Sequence, residues 1–221
     1  NPLCNGDANG SLTAAGAEGS GNYEYSIDGT AFESTGSFTG LSAGEQIVTI
    51  RSTDFPTCTN TCSVTLTEPA ILACTIMGTD LTSCVTDDGS LVVTATGGTA
   101  SYLYSIDGGV NNQTGTSFAG LTAGLHTITV QDANACTTTC DITLAAPSQP
   151  TCTITSSVNP LCNGDANGSL TAAGSGGSGM YEFSIDGTAF ESTGSFTGLS
   201  AGEQIVTIRS TDFPTCTNTC S

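Results

Sequence analysis

The cysteines of this chain recur at a regular spacing, and their thiols could form bonds. Eleven cysteines occur among 221 residues, and most fall into a set of four that repeats in register. The two complete sets are Cys74, Cys84, Cys136, Cys140 and Cys152, Cys162, Cys216, Cys220, and the incomplete set is Cys4, Cys58, Cys62. Thiols in such a register form either disulfides or a metal site.

The spacing of the cysteines favours disulfides over zinc. Nine, 51 and three residues separate successive cysteines of the middle set, whereas zinc ribbons and fingers use paired short spacings. Stable disulfides form outside the reducing cytoplasm, so the predicted location is extracellular. The missing member of the first set would precede Asn1, and we interpret the chain as a segment of a longer protein.

Acidic and amide side chains in a repeated loop suggest one alternative chemistry. Asp7 and Asn9, repeated as Asp165 and Asn167, are weak calcium candidates because oxygen ligands at alternate positions suit that ion. The competing interpretation is an Asx turn, since no glutamate closes the loop as in an EF-hand. We therefore predict no metal and no cofactor, with calcium as the alternative, and a stability that depends little on calcium.

Catalysis is not predicted for this chain. His126 is the only histidine, and the aligned positions in the other copies are Gln46 and Gln204. General acid–base and nucleophilic catalysis need positioned titratable groups, and no Ser/His/Asp or Cys/His set recurs. The expectation is a protein that is not an enzyme and has no catalytic residues.

The charge of the chain excludes further classes of partner. There are 20 acidic residues and two basic ones, which gives a formal net charge of −18. A surface of this sign repels nucleic acid, and no run of 18 apolar residues is present to insert into a membrane. We expect neither nucleic-acid binding nor membrane insertion.

An internal repeat determines how these residues are positioned. Residues 1–63 return as 159–221 with 59 of 63 positions identical; the four differences are Ala17/Ser175, Glu18/Gly176, Asn22/Met180 and Tyr25/Phe183. A diverged copy lies between them. Such a period is typical of an array, and it predicts three modules: the first at 1–69, the middle at 70–147 and the third at 148–221.

The pattern inside each module predicts β-strands. Tyr23, Tyr25 and Ile27 alternate with polar residues, which places them on one buried face, and Asp-Gly follows as a turn. Apolar residues recur nowhere at helical spacing. Six or seven short strands bounded by turn residues predict an all-β fold, a tandem array of immunoglobulin-like β-sandwich modules stapled by disulfides.

The same residues carry a family resemblance. Cys-Asn-Gly-x-x-x-Gly-Ser, then Tyr-x-Tyr-Ser-Ile-Asp-Gly, then Phe-x-Gly-Leu-x-Ala-Gly resembles the SprB-type repeat of giant surface proteins of gliding Bacteroidota. The resemblance covers all three modules and implies type IX secretion, a cell-surface location and a role as adhesin or filament. The middle copy departs from it with Cys84-Val85-Thr86 in place of Cys-Asn-Gly, and the second cysteine of each Cys-x-x-x-Cys is additional.

Three pairings are open to four cysteines, and one is disfavoured. Cys136 and Cys140 lie in one strand, where four residues span roughly 13 Å, beyond the reach of a disulfide. The resemblance favours Cys84 with Cys136 and Cys74 with Cys140, whereas parallel first and last strands in an immunoglobulin-like sandwich would favour Cys74 with Cys136. The favoured scheme gives, in the other copies, Cys152–Cys220, Cys162–Cys216 and Cys4–Cys58.

These features predict a structural repeat segment of a long extracellular adhesin or filament for attachment, gliding or cell capture. Near-identical copies suit an array of folding units that contact their neighbours. The alternative is that the modules themselves bind a glycan or a cell surface, although the chain has no tryptophan for an aromatic platform. The expected partners are neighbouring repeats of the same chain and, as a further hypothesis, laterally associated copies in a fibre.

Overall fold

The computed structural model describes all 221 residues, and its regular elements are 17 β-strands. The first module contains β1 (Gly10–Thr13), β2 (Tyr23–Ser26), β3 (Ser37–Leu41), β4 (Gly44–Ser52) and β5 (Thr59–Leu66). The middle module contains β6 (Ala73–Thr79), β7 (Gly89–Thr96), β8 (Leu103–Ser105), β9 (Ser117–Leu121), β10 (Gly124–Gln131) and β11 (Thr137–Leu144). The third contains β12 (Pro150–Val158), β13 (Gly168–Gly176), β14 (Tyr181–Ser184), β15 (Ser195–Leu199), β16 (Val206–Ser210) and β17 (Thr217–Cys220).

The third module is a sandwich of two antiparallel sheets. One sheet has the order β12-β13-β15 and the other β14-β16-β17. This is the order A-B-E and C-F-G of an immunoglobulin domain without its strand D. The structure thus confirms the all-β, immunoglobulin-like class, and no helix long and apolar enough to cross a membrane is present.

Alternating apolar residues from both sheets fill the core of this sandwich. Val206 and Ile208 are fully buried on β16, and Ile208 lies opposite Phe183 of β14. From the other sheet, Leu170 lies opposite Phe196, and both are buried. The core is therefore a small cluster, completed by Cys152 and Ala172, as expected for a module of this size.

A bulge recurs in all three modules, at the start of β1, β7 and β13. The register shifts at Gly10, Gly89 and Gly168. A Cβ atom at Gly10 would lie 2.7 Å from the carbonyl oxygen of Leu41, closer than two such atoms can approach. The repeated Asn-Gly or Asp-Gly thus supplies the residue that the bulge requires.

The other two modules use the same strand order. In the middle module the sheets are β6-β7-β9 and β11-β10-β8, and in the first module they are β1-β3 and β2-β4-β5. The chain forms two compact units, residues 1–75, 93–116 and 127–140 in one and 76–92, 117–126 and 141–221 in the other. Residues of the middle module thus belong to both units, and the module boundaries at 69 and 147 stay a prediction.

Replacing Ile208 by alanine tests the packing of the third module. The Ile208 side chain is fully buried, so Ile208→Ala should lower the free energy of unfolding by about 2–5 kcal/mol. The matched control is Ile205→Ala, because Ile205 is 54% exposed and should change stability by no more than about 0.5 kcal/mol. Native-state hydrogen exchange of β16 measures both. Equal effects would contradict this core.

Candidate functional site

Two disulfides lie within modules and join the first strand to the last. Cys74 of β6 bonds to Cys140 of β11, with the Cα atoms 6.1 Å apart. Cys152 of β12 bonds to Cys220 of β17, at a Cα distance of 5.4 Å. These are the pairs expected from the family resemblance. The alternative of Cys74 with Cys136 is not formed.

Two further disulfides connect one module to the next. Cys4 bonds to Cys136 across 132 residues, with the Cα atoms 5.7 Å apart. Cys84 bonds to Cys216, again across 132 residues, at a Cα distance of 5.0 Å. The expectation that Cys84 pairs with Cys136 therefore differs from the structure, as do the expected Cys162–Cys216 and Cys4–Cys58 pairs.

The strand directions explain why Cys162 does not pair with Cys216 of its own module. In the third module the Asn218 side chain donates to the carbonyl oxygen of Pro150 at 3.1 Å, so β17 starts beside the start of β12. Cys216 directly precedes β17 and lies at this end. Cys162 follows the far end of β12, whose eight steps from Pro150 to Val158 span roughly 26 Å. The two sulfur atoms lie too far apart to bond.

Hydrogen bonds around Cys4 hold its loop against the middle module. The side-chain amide of Asn134 donates to the carbonyl oxygen of Leu3 at 2.9 Å. Asn5 donates to Glu68 Oε1 and to the carbonyl oxygen of Pro69, both at 3.0 Å. The backbone N–H of Gly6 donates to Glu68 Oε2 at 2.7 Å. The junction is therefore a polar contact between the loop of the first module and the residues that join the modules.

Asp132 positions the cysteine on the other side of this junction. Its side chain is 4% exposed, and its two oxygens accept hydrogen bonds from the N–H groups of Thr99 at 2.8 Å, Asn134 at 2.9 Å and Cys136 at 2.9 Å. Sequence reasoning missed this residue. The available signal was Asp132-Ala-Asn-Ala-Cys136 itself, because aspartate commonly accepts from N–H groups that follow it in a turn.

At the second junction, different side chains surround the equivalent disulfide, Cys84–Cys216. The N–H of Cys84 donates to Thr215 Oγ1 at 3.4 Å, and Cys216 is fully buried. Ser83 Oγ accepts from the N–H groups of Val85 and Thr86 at 3.2 and 3.1 Å. This turn presents Cys84 to the next module.

Three cysteines carry no disulfide, and all are exposed: Cys58, Cys62 and Cys162. In the repeat, Cys58 occupies the position of Cys136 and Cys216, and Cys162 occupies that of Cys4 and Cys84. Their counterparts bond to an adjacent module. Cys62 occupies the position of Cys140 and Cys220, which bond to the first strand of their own module.

The calcium candidates are engaged in hydrogen bonds within their loops. Asn9 Nδ2 donates to Asp7 Oδ2 at 2.8 Å, and Asn9 Oδ1 accepts from the N–H of Leu3 at 2.9 Å. Asn167 makes the same two bonds in the third module, to Asp165 and from Leu161. No group of three or more His, Cys, Asp or Glu side chains in the structure could hold a metal ion. Independence from calcium stays a prediction.

The repeated Ser-Ile-Asp-Gly segment is a turn closed by its aspartate. Asp28 Oδ1 accepts from the N–H groups of Thr30 and Ala31 and from Ser26 Oγ, each at 2.8 Å. These donors hold the pKa of Asp28 well below its usual range. Asp186 has its pKa lowered by the same kind of donors, and the Ser105 hydroxyl is the main cause that lowers the pKa of Asp107 to about 2.

Each of the two basic residues forms an ion pair and a ring contact within its own module. Arg51 pairs with Glu24 at 2.7 Å, and its guanidinium lies 3.8 Å from the centre of the Phe32 ring. Arg209 repeats this arrangement with Glu182 at 2.6 Å and Phe190 at 4.0 Å. His126 is half-buried, and its Nε2 lies 2.8 Å from the carbonyl oxygen of Thr122. None of these residues lies in a cluster that resembles an anion site.

Fold and junctions together define a disulfide-linked array of immunoglobulin-like repeats. The family profile of the SprB repeat matches residues 1–32, 82–111 and 154–190. This match confirms the resemblance expected from the sequence. With the four disulfides, it indicates a structural or adhesive repeat of an extracellular protein. Comparison with curated proteins finds no match.

Several solved structures of multidomain proteins are similar to this chain. The N-terminal eight Ig domains of Down Syndrome Cell Adhesion Molecule match at 12% identity and a TM-score of 0.35, over 98% of this chain and 34% of that one. Three N-terminal domains of the bacteriophage RB49 Highly Immunogenic Outer Capsid protein match at 15% identity and a TM-score of 0.35, over 93% and 87%. Surface layer protein SbsC, domains 4–9, matches at 11% identity and a TM-score of 0.22, over 94% and 39%. The present chain spans about a third of the first of these, and the fold assignment rests on the strand order described above.

The aspartate turns predict a loss of stability in acid. Because the folded-state pKa lies below the unfolded value of about 3.9, the stabilisation is fully present above about pH 4 and is lost as the pH falls below it. Replacing Asp28 and Asp186 together by asparagine should flatten the dependence of the melting temperature on pH in this range. The matched control replaces Asp54 and Asp212, which are exposed. An equal flattening in the control would exclude the turns as the cause.

Cutting the backbone between modules tests the cross-module disulfides. A site-specific protease sequence inserted between Ser148 and Gln149 separates Cys84 from Cys216 along the chain. After cleavage, the protein should run as one species without reductant and as two fragments with it. In the Cys84→Ser variant the fragments should separate without reductant. Separation of the unmodified cleaved chain without reductant would mean that Cys84 and Cys216 are not bonded.

Proposed function

We propose that this chain is a tension-bearing segment of a long extracellular adhesin or filament, used for attachment, gliding or cell capture. The observation that carries the proposal is the pair of disulfides between consecutive modules, Cys4–Cys136 and Cys84–Cys216. A covalent bond between two modules resists their separation. This is the property that a module needs when it transmits force.

The covalent path through the oxidised chain is much shorter than its sequence. It runs along residues 1–4, crosses to Cys136, follows residues 136–152, crosses to Cys220 and ends at Ser221. At the maximal extension of an extended chain this path measures roughly 80 Å, against roughly 750 Å for the reduced chain. Unfolding of the modules under force therefore releases little length while the disulfides are intact.

The partners that we propose are further copies of the same repeat. Exposed Cys58 and Cys162 occupy positions whose counterparts bond to an adjacent module. The counterparts of Cys58 bond to the preceding module and those of Cys162 to the next, so each is suited to bond to a further copy of the repeat. Lateral association of several chains into a fibre belongs to the same proposal and is supported by strands rich in exposed threonine and serine, such as β5.

Secretion into an oxidising compartment is a part of this proposal. Four disulfides need such a compartment to form and persist. The SprB-type resemblance further suggests export by the type IX route and a role in gliding. The net charge of −18 keeps such a surface protein soluble.

Single-molecule stretching tests whether the chain resists extension. The oxidised chain, held at both termini, should lengthen to no more than roughly 80 Å, and reductant should release the rest up to roughly 750 Å. The Cys4→Ser variant opens the path along residues 1–74 and should reach roughly 300 Å before reduction. Extension of the oxidised, unmodified chain well beyond roughly 80 Å would contradict a disulfide-limited path.

Electron microscopy of the producing cells tests the role itself. An antibody against residues 159–221 should label thin fibres that project from the cell surface. Strains that lack the protein should lose the fibres and attach or move less. Label confined to dispersed, soluble protein would overturn the proposal.

A further inference from the structure

The two cross-module disulfides differ in how well their sulfur atoms are covered. Cys4 and Cys136 are both half-buried, whereas Cys216 is fully buried. Its partner Cys84 is half-buried, and the sulfur of Cys84 lies 3.4 Å from the carbonyl oxygen of Pro147. That electron-rich oxygen repels an approaching thiolate. Access to the Cys4–Cys136 bond is therefore greater.

A cleft of about 270 Å³ lies beside the Cys4–Cys136 bond. Both cysteines line it, together with residues that include Asn5, Ile71 and Thr137, and no charged side chain lines it. Thiol–disulfide exchange needs direct access of a thiolate to one of the two sulfur atoms. The cleft provides that access for a small molecule.

The loops before the two bonded cysteines explain the difference. The loop before Cys216 is two residues longer than the loop before Cys136 and contains Phe213 and Pro214. Phe213 is half-buried, and its carbonyl oxygen accepts from the N–H of Cys216 at 2.8 Å. The loop before Cys136 has only small residues beside Asn134, namely alanine on either side. Less side-chain volume is thus present to fill the first junction.

A strand that precedes the first residue would not fill this cleft. In the middle module such a strand is β6, and its Gly78 lies against Ile142 and Leu144 of β11. The equivalent positions of the first module are Val64 and Leu66, and neither lines the cleft. The cleft is therefore a property of the junction itself.

We propose that the Cys4–Cys136 disulfide is a thiol-exchange site at which a small thiol opens this junction, while Cys84–Cys216 stays closed. The thiolate attacks Cys4 Sγ, because Cys136 Sγ lies 3.6 Å from the carbonyl oxygen of Leu3. A mixed disulfide forms on Cys4 as the old bond breaks, and its electron pair leaves on Cys136, which takes up the proton of the attacking thiol. A second thiol then displaces Cys4. Two small thiols are oxidised to one disulfide, and both cysteines are reduced.

The charges near the cleft select the kind of thiol. The Glu68 carboxylate accepts from the side chain of Asn5, and the Asp132 carboxylate accepts from the N–H of Cys136. Neither arginine of the chain lines the cleft. A cationic or neutral thiol therefore approaches more readily than an anionic one, and salt should reduce this difference.

Exchange at this site would regulate the length of the segment. Reduction of Cys4–Cys136 releases the path along residues 1–74, while Cys74–Cys140 and Cys84–Cys216 still bridge the rest. This consequence rests on the proposed tension-bearing function, whereas the exchange reaction does not.

Brief treatment of the complete 221-residue chain with cysteamine tests the site. The three exposed thiols are first blocked with iodoacetamide, and thiols freed by cysteamine are then labelled with N-ethylmaleimide and located by peptide mapping. The Cys4–Cys136 bond should open roughly tenfold faster than Cys84–Cys216, because exchange rates follow access. Equal rates would overturn the proposal. Such a result would leave the stretching behaviour of the oxidised chain, and with it the proposed function, untouched.

The charge preference is measured with mercaptoacetate, an anionic thiol of similar size. Each rate is divided by the rate of the same thiol with a neutral model disulfide, which removes the difference in intrinsic reactivity. The corrected rate at Cys4–Cys136 should be higher for cysteamine, and the two should converge in high salt. Equal corrected rates at low salt would contradict selection by charge.

A substitution in the wall of the cleft tests the route of the thiol. Ala70 is exposed and lines the cleft, so Ala70→Phe should slow the opening of Cys4–Cys136 by roughly threefold or more. The matched control is Ser148→Phe, at the equivalent exposed position of the second junction, which should leave that rate unchanged. An unchanged rate in Ala70→Phe, or equal slowing by both variants, would exclude the cleft as the route.

Discussion

Covalent bonds between neighbouring modules are the constraint on which the rest of this structure depends. Each sandwich buries only a few side chains completely, as the cluster around Val206 and Ile208 shows. A core of this size leaves little stability beyond the loss of chain entropy. Disulfides raise the free energy of the unfolded chain, and those that span a junction also limit how far two modules can separate.

Loop entropy alone does not decide which cysteines pair. Closing the 132-residue loop of Cys4 and Cys136 contributes about 5 kcal/mol by the chain-entropy estimate, and the 66-residue loop of Cys74 and Cys140 about 4 kcal/mol. A difference of about 1 kcal/mol is too small to select one pairing over another. Strand direction decides instead, because it places the loop after the first strand and the loop before the last strand at opposite ends of a module.

The sequence was sufficient for the fold and for only half of the pairing. Alternation at Tyr23, Tyr25 and Ile27 predicted strands, and the register of cysteines predicted disulfides that include Cys74 with Cys140. Partners across modules were missed because a repeat presents the same cysteine in every copy, so Cys136 and Cys216 are equivalent candidates for Cys84. Antiparallel topology, applied to the loop positions, could have excluded Cys136 as a partner. The burial of Asp132 depends on tertiary contacts that no local pattern contains.

Divergence of the middle copy has a physical consequence for assembly. Neighbouring domains of near-identical sequence misassemble readily, and here the two copies with 59 of 63 positions in common are separated by a different module. The residues that differ include those that present the bonding cysteines. In one junction Asp132 accepts from the N–H of Cys136 and Asn134 donates to the carbonyl oxygen of Leu3. In the other, Thr215 accepts from the N–H of Cys84 and Ser83 accepts from the N–H of Val85. The loops around each cross-module disulfide are thus held by different hydrogen bonds. Chemically identical thiols therefore have different neighbours, and one pairing is favoured at each junction.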